Sequence, residues 1–279
     1  MRRKGNLLFV PSGGLANRMR AIASAYTLTQ KVDSSLQIVW FQDWALSAPF
    51  HSIFQPTELL NVREARGMDF LLYDRARKRN LWLPLLPQCL LYKHRIRERM
   101  VTPLKTQGFD FEAWAKGHQC YMSCYQVFGE FTNELYQQLF IPVKEVTDIV
   151  NRFRDLFTSH TIGLHIRRTD NSDSIEKSPT SLFIKKIKAE IEQHQDLSIF
   201  LATDDNRVKT ELHQHFGHRI ITATEEARRD SIPGIRGGLA DMWALACTQK
   251  IYGSAGSSFS PMAAGIGGVP LEIVTINPT

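Results

Sequence analysis

Thr161-Ile-Gly-Leu-His-Ile-Arg-Arg-Thr-Asp170 opens the most regular part of the chain and decides its fold. Residues 161–167 read as a strand, followed by a polar loop and a helix around 182–193. A strand over 198–202 leads through Thr203-Asp204-Asp205 to a helix over 207–216. A strand over 219–222, a charged Gly-containing loop and a helix over 239–248 come next. A strand over 250–253, a Gly/Ser turn, a short helix from about Ser258 and a strand over 271–274 complete the run. Such strand–helix alternation is the pattern of a doubly wound parallel sheet, whose ligands bind beyond the carboxyl ends of the strands.

Toward the N-terminus the same grammar starts again. A buried strand at 7–10 meets the small-residue turn Ser12-Gly-Gly-Leu-Ala-Asn17, then a helix over 18–32 and a strand over 36–40. The middle, 41–128, is less regular and closes on a strand at 121–128. Helices at 134–140 and 143–157, separated by Pro142, lead into the second half.

With 279 residues, 43% hydrophobic and 22% charged, the chain is globular and long enough for one large domain or two small ones. Disordered, coiled-coil and collagen-like classes are excluded. The net charge of +6 suits an anionic ligand, a membrane surface or nucleic acid without choosing among them. Residues 63–100 hold ten Lys/Arg against four Asp/Glu, mixed with Trp82, Tyr92 and a Leu-rich run. No RNA or DNA motif accompanies that charge, so nucleic acid is not an expected partner. A solvated face is the plain reading of the stretch; a peripheral membrane contact through 63–99 is the sharper one. Cys120 and Cys124 lack further ligands at zinc spacing and read as buried thiols of a reducing compartment. The apolar run at 81–92 is short and broken by Pro84 and Pro87, and residues 7–10 are too few for a signal-peptide core. The expectation is a cytoplasmic protein.

Four segments can carry chemistry. In the strand at 161–167, His165 and Arg167 share one face and Leu164 and Ile166 the other. Polar side chains on a buried strand need a polar or anionic partner. Arg167 and Arg168 stand where a phosphate would bind, or else Arg168 pairs with Asp170 and pins the loop. Asp204 and Asp205 directly follow a strand; they suit a metal, a ribose, a base or a helix N-cap. Asp241 is placed in the first turn of its helix, where the dipole alone could explain it. The turn Gly253-Ser-Ala-Gly-Ser-Ser258 precedes a helix N-terminus, a natural anion site, yet is neither a Walker A loop nor a nucleophile elbow. Finally, Gly13 and Gly14 allow close approach of a ligand, and Asn17 either caps the helix or bonds a substrate. Without G-x-G-x-x-G a dinucleotide site is unsupported.

As an ordered set these segments resemble the superfamily of nodulation-factor and core α-1,6-fucosyltransferases and protein O-fucosyltransferases. The resemblance rests on His165-Ile-Arg-Arg-Thr-Asp170, close to that superfamily's H-x-R-R-T-D. Ala202-Thr-Asp-Asp205, Asp241, Ser257-Ser258 and the Gly13-Gly-Leu-Ala-Asn-Arg18 loop support it. It implies a GT-B-like α/β fold, with two Rossmann-like domains facing across a cleft. Residues 1–145 would form the acceptor side and 146–279 the nucleotide-sugar side. It further implies an inverting transfer of fucose from GDP-fucose to a glycan or lipid-linked glycan, as in polysaccharide biosynthesis, with no metal and no other cofactor. Arg167 would be the catalytic clamp on the β-phosphate, with Asp241 on the guanine and His165 near the guanosine. Ser257 and Ser258 would meet the phosphates. Asp204 or Asp205 would hold the nucleoside, and Gly14, Asn17, Arg168 and Asp170 would complete the donor site. The core enzymes carry a Glu eight residues after the first Arg; that position here is Ile175, with Asp173 and Glu176 nearby.

Overall fold

A computed structural model describes residues 4–74, 85–224 and 228–276. The chain divides into two compact units, Met1–Ile141 and Pro142–Thr279. The division falls at the Pro142 that separates two helices, four residues before the expected 146.

The first unit contains β1 (Gly5–Pro11), α1 (Leu15–Lys31), β2 (Ser34–Trp40), β3 (Val62–Glu64), α2 (Asp69–Leu72) and α3 (Leu85–Leu91). It continues with β4 (His94–Ile96), α4 (Glu98–Thr106), α5 (Phe111–Ala115), β5 (Gln119–Cys124) and α6 (Glu134–Leu139). Its strands form a parallel sheet in the order β3-β2-β1-β5-β4. Leu8, Val10, Val39, Phe41, Tyr73 and Tyr121 pack one core there. The expected strand at 121–128 ends early, at Cys124. Tyr125 gives its N–H to Glu98 Oε2 at 2.6 Å and Gln126 gives its own to Cys124 Sγ at 3.1 Å, so the backbone leaves the ladder. Cys120 and Cys124 are buried free thiols, whereas Cys89 and Cys247 are exposed. Burial pushes the Cys120 thiol up to about 12.

The second unit runs α7 (Lys144–Arg154), β6 (Thr161–Ile166), α8 (Ser172–Lys177), α9 (Thr180–Gln193), β7 (Ser198–Thr203) and α10 (Asn206–Phe216). Then follow β8 (Ile220–Thr222), α11 (Ile232–Ala246), β9 (Ile251–Ser254), α12 (Phe259–Gly267) and β10 (Leu271–Val274). All pairings are parallel, in the order β10-β9-β6-β7-β8. The chain moves from β6 outward to β7 and β8, then returns to the other side of β6 at β9. The switch point therefore lies between the carboxyl ends of β6 and β9, where such sheets open a crevice for ligands. Leu164 and Ile166 turn into a core with Phe183 and Ile187 of α9 and Val208 and Leu212 of α10. His165 turns to the other face, onto Phe259 of α12.

A helix boundary is corrected as well. The helix read as starting at 239 begins seven residues earlier, at Ile232. Ser231 caps it by accepting the Gly234 N–H at 3.3 Å. Pro233 sits in its first turn, where a missing N–H costs nothing. Gly237 and Gly238, which read as loop, lie inside the helix. Among the described residues no helix is long and apolar enough to cross a membrane. The basic cluster Arg77, Lys78 and Arg79 and neighbouring Trp82 lie outside the described residues.

Candidate functional site

The site grows from the last residues of β6. Past Ile166 the chain leaves the ladder, and Arg167 gives its N–H to Ser254 Oγ at 3.1 Å. The same hydroxyl donates to the His165 carbonyl at 3.2 Å. Ser254 thus staples β6 to β9 at the switch point. The Arg167 side chain is mostly buried and held from two sides. Nε donates to Asp170 Oδ1 at 2.9 Å and lies 3.1 Å from Asp204 Oδ2, and Nη2 pairs with Asp170 as well. Asp204 organises the loop in turn, accepting the N–H of Arg168 at 2.7 Å and of Thr169 at 3.2 Å. Burial works to raise the Asp204 pKa. The Thr169 hydroxyl, Arg167 and the two N–H groups outweigh it and keep the carboxyl below its ordinary value. A carboxylate held charged in this way fixes a guanidinium in place.

The turn between β9 and α12 is equally constrained. Gly256 adopts φ +69°, and a Cβ there would come within 2.9 Å of Asp173 Cβ. Asn171 caps α8 with its Oδ1 and gives Nδ2 to the Gly256 carbonyl at 2.9 Å. Ser174 Oγ donates to the Ala255 carbonyl at 2.6 Å, and Ser178 Oγ accepts the Ala255 N–H at 2.8 Å. Ser257 accepts the Phe259 N–H at 3.3 Å, and Ser258 takes the N-cap position of α12. The turn presents hydroxyls and a helix N-terminus, the chemistry of an anion cradle.

Two of the expected site residues carry a buried polar atom without a hydrogen-bond partner. His165 stacks on Phe259 at 4.7 Å, flanked on its face by Ala202 and Gly253, and its Nδ1 has no hydrogen bond. Burial, with Arg167 adding to it, pushes its pKa down to about 3, so the imidazole is neutral. Asp241 is 6% exposed, and its Oδ1 also lacks a partner. Burial raises its pKa to about 7, with only Lys209 pulling the other way. Because α11 begins at Ile232, Asp241 is its tenth residue, in the third turn and beyond reach of the dipole that the sequence suggested. An unpaired buried carboxylate is costly and points to a ligand that would satisfy it.

Other expected site residues have structural partners. The Arg168 guanidinium points the other way, onto the carbonyls of Arg167, Ser174 and Ser178 and the Thr180 hydroxyl. It pins the loop by carbonyls; the carboxylate of Asp170 instead meets Arg167 and Arg229. Asp205 is the N-cap of α10, accepting the Arg207 N–H at 2.8 Å. Asp173 pairs with Lys177 at 2.7 Å, and Ile175 is exposed on α8. Gly14 and Asn17 belong to the first unit. Gly14 itself takes the N-cap position of α1, so Asn17 is not the cap. Gly13 needs its freedom there, with φ +82°. Sequence reasoning missed Arg18, which is wholly buried against Trp40 and bonded to the carbonyls of Gly13 and Phe41 and to Asp43. It also missed Ser254, Asn171, Ser174 and Ser178; their signal is a high density of small hydroxyl residues just after two strands.

No protein-family model matches the sequence, and no curated protein does. Solved structures do match. NodZ α-1,6-fucosyltransferase soaked with GDP-fucose is 15% identical, with 96% of this chain and 94% of that one covered at a TM-score of 0.65. A point mutant of Arabidopsis thaliana FUT1 in complex with GDP is 14% identical over 96% and 69% of the two chains, at 0.57. POFUT1 in complex with GDP is 10% identical over 96% and 97%, at 0.58. The chain shares the fold of these proteins over almost its whole length.

Proposed function

We propose that this chain is a metal-independent, inverting glycosyltransferase. It moves fucose from GDP-fucose to a hydroxyl of a glycan or lipid-linked glycan in the cytoplasm. One observation carries the reading: Arg167 is fixed by Asp170 and Asp204 at the β6–β9 switch point, beside the Ser257–Ser258 turn. That solved structures of this fold hold GDP or GDP-fucose supports it.

As the sugar–phosphate bond breaks, negative charge gathers on the β-phosphate and the sugar becomes oxocarbenium-like. A guanidinium already held in place stabilises that charge without reorganising during the reaction. The turn at 255–258 would hold the phosphates through N–H and hydroxyl groups. The Asp241 carboxylate would accept from N1–H and N2–H₂ of guanine, and neutral His165 would line the nucleoside. Gly14 and Asn17 remain assigned to the donor through the resemblance alone.

The test is calorimetric titration with GDP, ADP and UDP, followed by release of GDP from GDP-fucose. GDP binding stronger than ADP and UDP by about tenfold or more is expected from the carboxylate–guanine pair. Equal affinity for the three overturns the guanine assignment. The exposed Ile175, in place of a candidate base, favours a second reading as a binding protein; GDP binding with no release from GDP-fucose would select it. A further expected result is that EDTA leaves turnover unchanged. Among the described residues no three His, Cys, Asp or Glu side chains group to hold a metal. Loss with EDTA, restored by Mn²⁺ or Mg²⁺, reassigns Asp204 and Asp205 as ligands.

A further inference from the structure

The described residues carry large apolar side chains in solvent at fifteen positions, and six of them crowd onto one short region. Met68, Phe70 and Leu71 lie on or beside α2; Leu86, Leu90 and Leu91 lie on α3. Leu90 is 87% exposed and Leu86, one helical turn earlier on the same face, 66%. The ridge is built rather than loose. Gln88, buried beneath it, donates to the Leu72 carbonyl at 2.8 Å and to Asp74 at 3.2 Å, clamping α3 beside α2. Phe70 meets Phe41 edge-on at 5.3 Å.

Charge singles out the same region. Each of the four acids in 63–100 is engaged within the unit. Glu64 accepts the Phe50 N–H at 2.7 Å, and Asp69 takes both Arg63 nitrogens. Asp74 holds Arg97 and the Tyr121 hydroxyl. Glu98 binds the Tyr125 N–H and the Gln126 amide. Among the described residues, then, these four acids are taken up by contacts within the unit. Arg66, just before α2, and Lys93, just after α3, stand exposed at the two ends of the ridge.

We propose that this α2–α3 ridge docks the protein on an anionic phospholipid surface. Leu71, Leu86, Leu90 and Leu91 enter the headgroup region, and Arg66 and Lys93 meet lipid phosphates. An apolar ridge edged with cations is what such an interface recognises. A second copy of the chain fits less well, because a two-fold contact sets the cationic rims against each other. The proposal stands apart from the transferase reading, which it would extend by bringing a lipid-linked acceptor to the protein.

The test is co-sedimentation with phosphatidylcholine vesicles, with and without phosphatidylglycerol, at low and high salt. Wild type is expected to pellet with the anionic vesicles at low salt. Leu86→Ser with Leu90→Ser should cut partitioning about tenfold or more. Arg66→Gln with Lys93→Gln should cut it by about fivefold per cation on anionic vesicles alone. All four positions are exposed, so melting temperature and GDP affinity should stay at wild-type values and certify the fold. Absence of wild-type pelleting at low salt overturns the proposal, as does pelleting unchanged in either double variant. A concentration-dependent dimer in sedimentation velocity, abolished by the leucine changes, assigns the ridge to a second copy instead. GDP affinity is read separately, so failure on vesicles leaves the nucleotide assignment intact.

Discussion

Asp241→Asn should make the nucleotide-free protein more stable at neutral pH while weakening its hold on GDP. A carboxyl whose native pKa is raised to about 7 binds its proton more tightly folded than unfolded. Its contribution to stability is complete below an unfolded value of about 4 and is lost as pH rises toward 7. Above that, the wild type bears a buried charge offset only by Lys209. Asn stays neutral throughout and avoids that cost, which is on the order of a few kcal/mol. The melting temperatures of variant and wild type should therefore diverge from about pH 4 to about pH 7 and stay several degrees apart above it. GDP affinity should move oppositely. The variant should bind about 10–100-fold more weakly, the worth of losing charged hydrogen bonds. Below about pH 7 wild-type affinity should fall more steeply than the variant's, because the terminal phosphate of GDP titrates at about 6 in both and Asp241 only in the wild type. A variant that melts earlier at high pH and binds GDP normally would show that the carboxylate serves the fold.

Arg167→Ala should leave a folded protein that has lost about 10²–10³ in transfer rate, as removal of one preorganised stabiliser typically does. Its loss frees Asp170 and Asp204, but both sit at the solvent-facing end of the sheet and Asp204 keeps its bonds to Arg168 and Thr169. Arg167→Lys should be nearly as poor, because an ammonium cannot span two carboxylates and still present a fork to a diphosphate. Single-turnover release of GDP from GDP-fucose, with circular dichroism on the same samples, is the measurement. Near-normal turnover in the alanine variant would remove Arg167 from the chemistry and leave it a loop tether.

The strands of the second unit were legible because each is a short apolar run bounded by polar turns. The polar clusters were legible as lying at the carboxyl ends of those strands; the strand order that makes β6–β9 the switch point was not. Arg168 was not read correctly: alternation puts it in step with Leu164 and Ile166, away from Arg167, yet both arginines were set at a phosphate position. The start of α11 was not legible, because Gly237 and Gly238 mimic a loop and only the Ser231 cap and tertiary packing override them. Nor were β3 and β4, three residues each and only partly buried, which show no alternation to read. The isolation of Asp241 depends on which side chains fail to reach it across the fold. No local pattern encodes an absence of that kind.

The Ser254 staple has a consequence for the order of assembly. Arg167 and Ser254 are 87 residues apart in the chain, and β6 is completed on that side only when β9 docks. Contacts of such long separation form late, after loop-closure entropy has been overcome. A ribosome will have made Arg167 and both of its carboxylate partners long before the strand that fixes their backbone exists. Until then the arginine loop has only its local bonds, and the anion cradle is missing its second wall. If the cradle binds a nucleotide as proposed, every nascent or truncated form that stops short of α12 would lack that competence.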